Sequence, residues 1–285
     1  MTSKILITGG LGHIGTHLAR FLIEKGYDVY ILDNFFNNTV DYIDGAKFYR
    51  LPACKIATIN VKFQYVFHFG EFSRVEQSFE FFDECIEYNR NSFSAVVNYC
   101  KSVNAKLIYS ASSTINGDHG YNKYESPYAF TKYQNVEYLK AFCKWFDLNY
   151  SIVYFSNVYG GLENSTEKMG TVIAKFVAAK ERGDDYVKIT SPGTQRRYFT
   201  HISDTISAIY LVMKHGGKDD YFVAAEESYS IIEVANLLGI DYILTEAKKG
   251  NRMSSDIDTI KTKDLGWQCK HELSSYLEKI RNDYE

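Results

Sequence analysis

Lys4-Ile5-Leu6-Ile7-Thr8-Gly9-Gly10-Leu11-Gly12-His13-Ile14-Gly15-Thr16-His17-Leu18-Ala19-Arg20-Phe21-Leu22 opens the chain, and its reading decides the fold. Lys4 to Thr8 is a short apolar run of strand character, and Gly9 to Gly15 is a glycine loop. Thr16 to Lys25 has helical spacing, with Gly26 as its stop. Tyr27 to Asp33 supplies the next strand, so the stretch is a βαβ unit, the building block of a parallel sheet.

Working outward, Tyr65 to Phe69, Lys106 to Ser110 and Asn149 to Phe155 read as strands, alternating with helices over Phe79 to Val103 and Tyr128 to Phe146. The alternation predicts an α/β fold with a doubly wound parallel Rossmann-type sheet. In such sheets ligands bind beyond the carboxyl ends of the strands. Those ends carry Gly9, Asp33, His68-Phe69-Gly70, Ser110 to Ser113 and Ser156-Asn157. After Gly160 the pattern weakens into a polar loop over Leu162 to Gly170, a helix over Thr171 to Arg182 and a turn at Ser191 to Thr194. We therefore expect a nucleotide-binding domain over 1–160, to which 195–214 returns. A smaller, discontinuous C-terminal substrate-binding region would take 161–194 and 215–285.

Composition bounds the partners. The chain has 285 residues and 45% hydrophobic content, enough for a sizeable core. Net charge of -3 and a pI near 6.2 provide no basic footprint for nucleic acid or an anionic membrane, so neither is an expected partner. Cys54, Cys85, Cys100, Cys143 and Cys269 are odd in number and never form Cys-x-x-Cys, which reads as reduced packing residues. No signal peptide or membrane-length apolar run is visible, and a cytoplasmic location is expected. His68 and His201 read as hydrogen-bonded packing residues. No His, Cys, Asp or Glu group has metal spacing, so no metal is expected.

The glycines carry the first chemistry. Gly9, Gly12 and Gly15 lie between a strand and a helix, where missing side chains let a pyrophosphate approach backbone amides at the positive helix end. Asp33, eighteen residues past Gly15, is placed to accept hydrogen bonds from an adenosine ribose and to repel a 2′-phosphate, which favours NAD over NADP. The bland alternative is glycines packing a helix on a strand beside an acidic turn residue.

Ser112, Tyr128 and Lys132 carry the second. A phenol titrates near 10, so a tyrosine acting as base at neutral pH needs a nearby cation. Lys132 stands one helical turn along on the same face. Hydride transfer from a sugar alcohol to nicotinamide also requires removal of the hydroxyl proton, with Ser112 positioning the oxygen. With 24 tyrosines in the chain the same spacing recurs at Tyr210 and Lys214, which we read as an ordinary surface pair. Only the first follows a strand that ends in small hydroxyl residues.

Together these segments resemble the extended short-chain dehydrogenases of the nucleotide-sugar epimerase/dehydratase family, nearest in pattern to the UDP-galactose 4-epimerases. The resemblance is carried by Thr8 to Gly15, Asp33-Asn34, Val66 to Gly70, Ser110 to Gly117, Tyr128 to Lys132, Asn157 to Gly160 and Gly193 to His201. It implies NAD as cofactor, held by Gly9, Gly12, His13, Ile14, Gly15, Asp33, Asn34, Phe69, Gly70, Ser110, Tyr128, Lys132 and Phe155. It implies a nucleotide-diphosphate sugar as substrate, held by Ser112, Tyr128, Asn157, Arg197 and Arg252. It also implies a homodimer through the helices bearing Phe79, Phe81, Phe82 and Tyr88, and Tyr133, Tyr138, Phe142 and Trp145.

Within that family, 4,6-dehydratases resemble one another in an Asp-Glu pair directly after the hydroxyl catalyst, because elimination of water needs an added acid and base. Here those positions are Ser113 and Thr114. The expected activity is therefore epimerisation at C4 through a transient 4-keto sugar. A dehydrogenase, ketoreductase or 4,6-dehydratase of the same family stands as the alternative, and a non-catalytic NAD-binding module as the alternative from another class. The chain departs from the family pattern at Leu51-Pro52-Ala53-Cys54, Ser73, Tyr154 and Ser255. Glu71 and Arg74 either contact the sugar or pair with each other, and pairing is the expectation taken.

Overall fold

The computed structural model describes residues 2–250 and 252–284. Its strands are β1 (Lys4–Thr8), β2 (Asp28–Asp33), β3 (Lys47–Arg50), β4 (Tyr65–His68), β5 (Lys106–Ser112), β6 (Tyr150–Phe155), β7 (Asn157–Tyr159), β8 (Tyr186–Thr190), β9 (Arg196–His201), β10 (Asp220–Val223), β11 (Ser228–Ser230) and β12 (Asp241–Thr245). Its α-helices are α1 (His13–Glu24), α2 (Gln77–Glu80), α3 (Phe82–Ile86), α4 (Ser92–Val103), α5 (Pro127–Phe146), α6 (Val172–Arg182), α7 (Ile202–His215), α8 (Ile231–Leu238), α9 (Ile260–Asp264) and α10 (Leu273–Tyr284).

Seven strands form one sheet in the order β10-β6-β5-β4-β1-β2-β3, and every neighbouring pair is parallel. The apolar run of β1 has the reason for this in its side chains. Ile5, Leu6 and Ile7 are all fully buried, as a strand covered on both faces requires. Leu6, Val66, Leu107 and Ile152 pack against Phe93, Val96 and Val97 of α4 and Leu139 of α5. Ile5, Ile7, Phe67 and Ile108 pack on the other side against Leu18 and Leu22 of α1 and Ile206, Ile209 and Val212 of α7. The expected doubly wound α/β architecture is the one observed. Strand order reverses at β1, so the chain leaves β1 and β4 toward opposite faces and opens a crevice between their carboxyl ends.

A separate core of Ile173, Phe176, Val187, Ile189, Val234, Leu238 and Leu277 underlies two small sheets, β11-β9-β7 and β12-β8. The boundary between the regions differs from the sequence expectation. The return to the main sheet runs beyond 195–214, because β10 is its edge strand beside β6. Trp267, from the supposed substrate-binding stretch, is buried in the core beneath α7 and donates its indole N–H to Asp204 O at 2.9 Å. Both packings join residues distant in sequence, which local periodicity does not record.

Two helices also differ. α1 starts at His13 rather than Thr16, so Gly15 lies inside it. The expected helix over Phe79 to Val103 is broken at Phe81 (φ -104°, ψ 54°), whose ring turns toward Phe36 and Phe72. A π-helical turn over Glu87–Asn91 follows, and Asn89 within it accepts the Phe72 N–H at 2.7 Å and donates to Thr131 Oγ1 at 2.9 Å. Among the described residues no helix is long and apolar enough to cross a membrane.

Candidate active site

Every residue singled out in the sequence as a cofactor, substrate or catalytic candidate lines one cleft of about 530 Å³ at the sheet's carboxyl edge. Gly9, Gly12, His13, Ile14 and Gly15 form one wall; Asp33 and Asn34 close one end; Phe69, Gly70, Ser110 and Phe155 form the floor. Ser112, Tyr128 and Lys132 stand at the centre, with Asn157, Arg197 and Arg252 beyond them.

Backbone packing explains the glycines at the crevice. Gly9 has φ +66°, and a Cβ there would stand 2.7 Å from Gly70 Cα. A Cβ on Gly15 would come within 2.7 Å of Gly10 Cα, so the helix could not seat against the loop. Gly12 is the N-cap of α1 and offers no side-chain cap. The first-turn amides are consequently left without an intrahelical partner and lie along the cleft, a fit for a pyrophosphate. His13 Nε2 is buried there without a hydrogen-bond partner, and burial, with His17 nearby, pushes its pKa down to about 3.

Asp33 ties this loop to β2. Its Oδ2 accepts the Leu11 N–H at 3.0 Å and its Oδ1 the Phe35 N–H at 2.9 Å. Burial pushes the Asp33 carboxyl up, and these amides oppose that shift. Each oxygen keeps capacity for a further donor such as a ribose hydroxyl.

The centre is built by β5 and α5. Ser126 N-caps α5 by accepting the Ala129 N–H at 3.1 Å, and Pro127 takes the first helical position, so Tyr128 enters on a fixed first turn. Tyr128 is 9% exposed. Ser112 ends β5, and its Oγ accepts from Thr114 Oγ1 at 2.8 Å and Thr114 N at 3.2 Å. With both acceptor positions used, the Ser112 hydroxyl hydrogen is left to point at a ligand oxygen. Thr114 was not among the residues picked from sequence; it sits where the dehydratase glutamate would stand.

Glu71 overturns the expected pairing with Arg74. Its carboxylate meets Lys132 instead, with Oε2 2.5 Å from Nζ, and Lys132 also donates to Ser110 O at 2.7 Å. Arg74 donates through Nε to Met169 O at 2.8 Å. The reason is position: Glu71 follows Gly70 at the sheet's end and turns inward toward α5, whereas Arg74 has left the sheet. Burial alone would raise the Glu71 carboxyl, but Lys132 and His68 beside it hold it below its ordinary range.

Arg197 and Arg252 lie together at the far end. Arg197 donates to Arg252 O at 2.7 Å, and Arg252 Nη2 donates to Ser113 Oγ at 3.2 Å. Burial pulls Arg252 down to about 10, and burial with Arg252 beside it pulls Arg197 to about 9. Arg252 Nε and Nη1 are buried without a hydrogen-bond partner among the described residues. Adjacent desolvated guanidinium groups of this kind fit a dianion.

Other positions have simpler fates. Tyr154 is a core residue stacked on Phe222 at 4.3 Å and does not reach the cleft. His68 is buried with its Nδ1 2.7 Å from Thr8 Oγ1, and His201 caps α7 by accepting the Ser203 N–H at 3.2 Å. No group of three or more His, Cys, Asp or Glu among the described residues is placed to hold a metal ion.

The sheet, the crevice and the glycine wall define a Rossmann-type dinucleotide enzyme. The sequence profile of the NAD dependent epimerase/dehydratase family matches residues 5–225, and the chain belongs to that family, with NAD as its cofactor. A UDP-N-acetyl-alpha-D-glucosaminuronate decarboxylase of Bacillus cytotoxicus is 26% identical, covering 82% of this chain and 79% of its own length. A UDP-glucose 4-epimerase of Lactobacillus helveticus is also 26% identical, covering 94% and 93%. The UDP-glucose 4-epimerase of Thermotoga maritima, solved with UDP-glucose, has the same fold, with a TM-score of 0.88 at 24% identity over 98% of this chain and 97% of that one.

Proposed function

We propose that the chain is an NAD-dependent nucleotide-sugar epimerase acting at C4. The observation that carries this reading is the meeting of Ser112, Tyr128 and Lys132 with the glycine wall in one cleft, while hydroxyls rather than carboxylates occupy positions 113 and 114. The glycine wall would hold the NAD pyrophosphate, and the cofactor, when bound, would supply a hydride acceptor that can return what it takes. Tyr128 takes the C4 hydroxyl proton and gives it back, and Ser112 donates its hydroxyl hydrogen to the C4 oxygen throughout. Asn157, Arg197 and Arg252 hold the nucleotide diphosphate while the loosely held 4-keto sugar turns over. That rotation lets hydride return to its other face.

The UDP-glucose 4-epimerases among the relatives support this reading. The decarboxylase relative makes uronic sugars part of the test. The experiment is incubation with UDP-, GDP-, CDP- and dTDP-sugars, uronic forms included, with products read by NMR in D2O. Inverted C4 stereochemistry without deuterium at C4 is the expected result. Deuterium at C4, a 4-keto-6-deoxy product or loss of carbon dioxide would each reject the reading. Phe79, Phe82 and Trp145 remain 45%, 51% and 66% exposed, and we infer that they meet a second copy of the chain.

A further inference from the structure

The Lys132 ammonium does not face Tyr128 as an unopposed charge. Its partner Glu71 is as deeply buried as it is, with side-chain exposures of 5% for the lysine and 1% for the glutamate. Glu71 is itself held from several elements. Asn135 of α5 donates to Oε1 at 3.0 Å, and Tyr109 of β5 donates to Oε2 at 3.1 Å. Asn135 is fixed in turn by Arg90, whose Nη1 donates to its Oδ1 at 3.1 Å, and it also donates to Asn89 O at 2.5 Å. The π-helical turn that carries Asn89 is therefore part of the support for Glu71.

His68 of β4 completes the surround, with Nε2 3.4 Å from Oε1. At that distance Nε2 has no hydrogen-bond partner among the described residues. Thr8 Oγ1 accepts the Gly70 N–H at 3.1 Å and lies 2.7 Å from His68 Nδ1. Nε2 is the ring nitrogen that faces Glu71. A carboxylate with this many convergent donors occupies a built position.

We propose that Glu71 is a positioning residue of the hydride-transfer site: it anchors Lys132 Nζ and, by neutralising it, sets the charge that Tyr128 senses. The proposal rests on the assignment of Tyr128 as the acid and base. Its consequence is that further cations within electrostatic reach of Tyr128 are Arg74, from the loop after β4, which Glu163 also faces, and Arg252, from the loop before α9, which Asp118 also faces. Cys85 of α3 lies within electrostatic reach of both Glu71 and Lys132. The rival explanation, that Glu71 merely satisfies a buried lysine, predicts a loss of stability and no effect specific to Tyr128.

The test uses the full chain with NAD bound. Phenolate absorbance is recorded against pH, and for each protein the curve of the same protein carrying Tyr128→Phe is subtracted, isolating one tyrosine of 24. Glu71→Gln removes a negative charge and keeps an acceptor for Asn135. Its Tyr128 midpoint is expected to fall by about one pH unit, and the acid limb of the pH–rate profile with UDP-galactose to follow. Glu71→Asp keeps the charge but withdraws it from Nζ, so the midpoint stays within about half a pH unit while kcat drops about tenfold. An unmoved midpoint in Glu71→Gln, or equal movement in both variants, overturns the proposal.

If Glu71→Gln does not fold, the double variant Glu71→Gln with Lys132→Met decides the matter, because it leaves neither charge buried. Its midpoint is expected within about half a pH unit of the unchanged protein, and a rise of a full unit would show that Lys132 was never neutralised. Absence of UDP-galactose turnover in the unchanged protein would count against the epimerase reading alone, since the absorbance titration needs no substrate.

Discussion

Leu11 donates its backbone N–H to Asp33 Oδ2 at 3.0 Å, so the residue at the end of β2 fastens the middle of the glycine loop. One carboxylate thus shapes the wall against which a dinucleotide lies and closes the end where its ribose would sit.

Asp33→Ala removes both contributions. The unpaired Leu11 and Phe35 amides are expected to cost about 1–3 kcal/mol of stability. NAD affinity should fall at least about tenfold. Thermal unfolding and calorimetric NAD binding measure the two separately; unchanged NAD affinity in a folded variant would remove Asp33 from the cofactor site.

The repeated Tyr-x-x-x-Lys spacing provides an internal control. Tyr128→Phe is expected to lower epimerase kcat by about a thousandfold or more while NAD remains bound. Tyr210 lies on α7, with its ring 5.3 Å from Phe21, on the opposite side of the sheet from α5. Tyr210→Phe is expected to leave kcat unchanged. Steady-state rates on both variants check this, and near-normal activity in Tyr128→Phe would reject the assigned base.

Thr114→Val removes the hydroxyl that donates to Ser112 Oγ at 2.8 Å. Ser112 then regains a free acceptor position, and its hydrogen loses a single direction. We expect a kcat about tenfold lower with KM little changed, because one oriented hydrogen bond contributes about 1.5 kcal/mol. A pure KM effect would place Thr114 in substrate binding instead.

Asp204 gives a pH prediction. It opens α7 and accepts from the Lys270 and His271 amides at 3.0 and 2.9 Å and from His271 Nδ1 at 3.0 Å. Burial opposes ionisation, but these donors prevail and hold the carboxyl below its ordinary value. An acid with a depressed folded pKa contributes stability above its unfolded pKa of about 3.9 and loses it as pH falls further. Asp204→Asn should therefore lower the melting temperature at neutral pH, and the gap to the unchanged protein should close below about pH 4. A gap that persists unchanged to pH 2 would contradict the ion pairing.

The candidate site was legible in sequence wherever its chemistry is local. Gly9, Gly12 and Gly15 announce a loop because their spacing and flanking periodicity lie within one βαβ unit. Tyr128 and Lys132 share a face because they are one helical turn apart. Glu71 was misread because its neighbour in sequence, Arg74, is not its neighbour in space. Thr114 was read only as an absent glutamate, and its hydrogen bond to Ser112 depends on the tight turn after β5.

The sequence by itself determined the parallel sheet, the position of the crevice and the absence of an acid pair beside Ser112, all consequences of short-range pattern and residue type. Only the tertiary structure decided that β10 completes the sheet and that the long helix before β5 breaks at Phe81. It alone placed Glu71 on Lys132. The physical reason is that strand pairing and buried ion pairing are settled by which distant surfaces exclude water together. The pairing of Lys132 with Glu71 is therefore a property of packing between β4, β5 and α5 and belongs to none of their motifs singly.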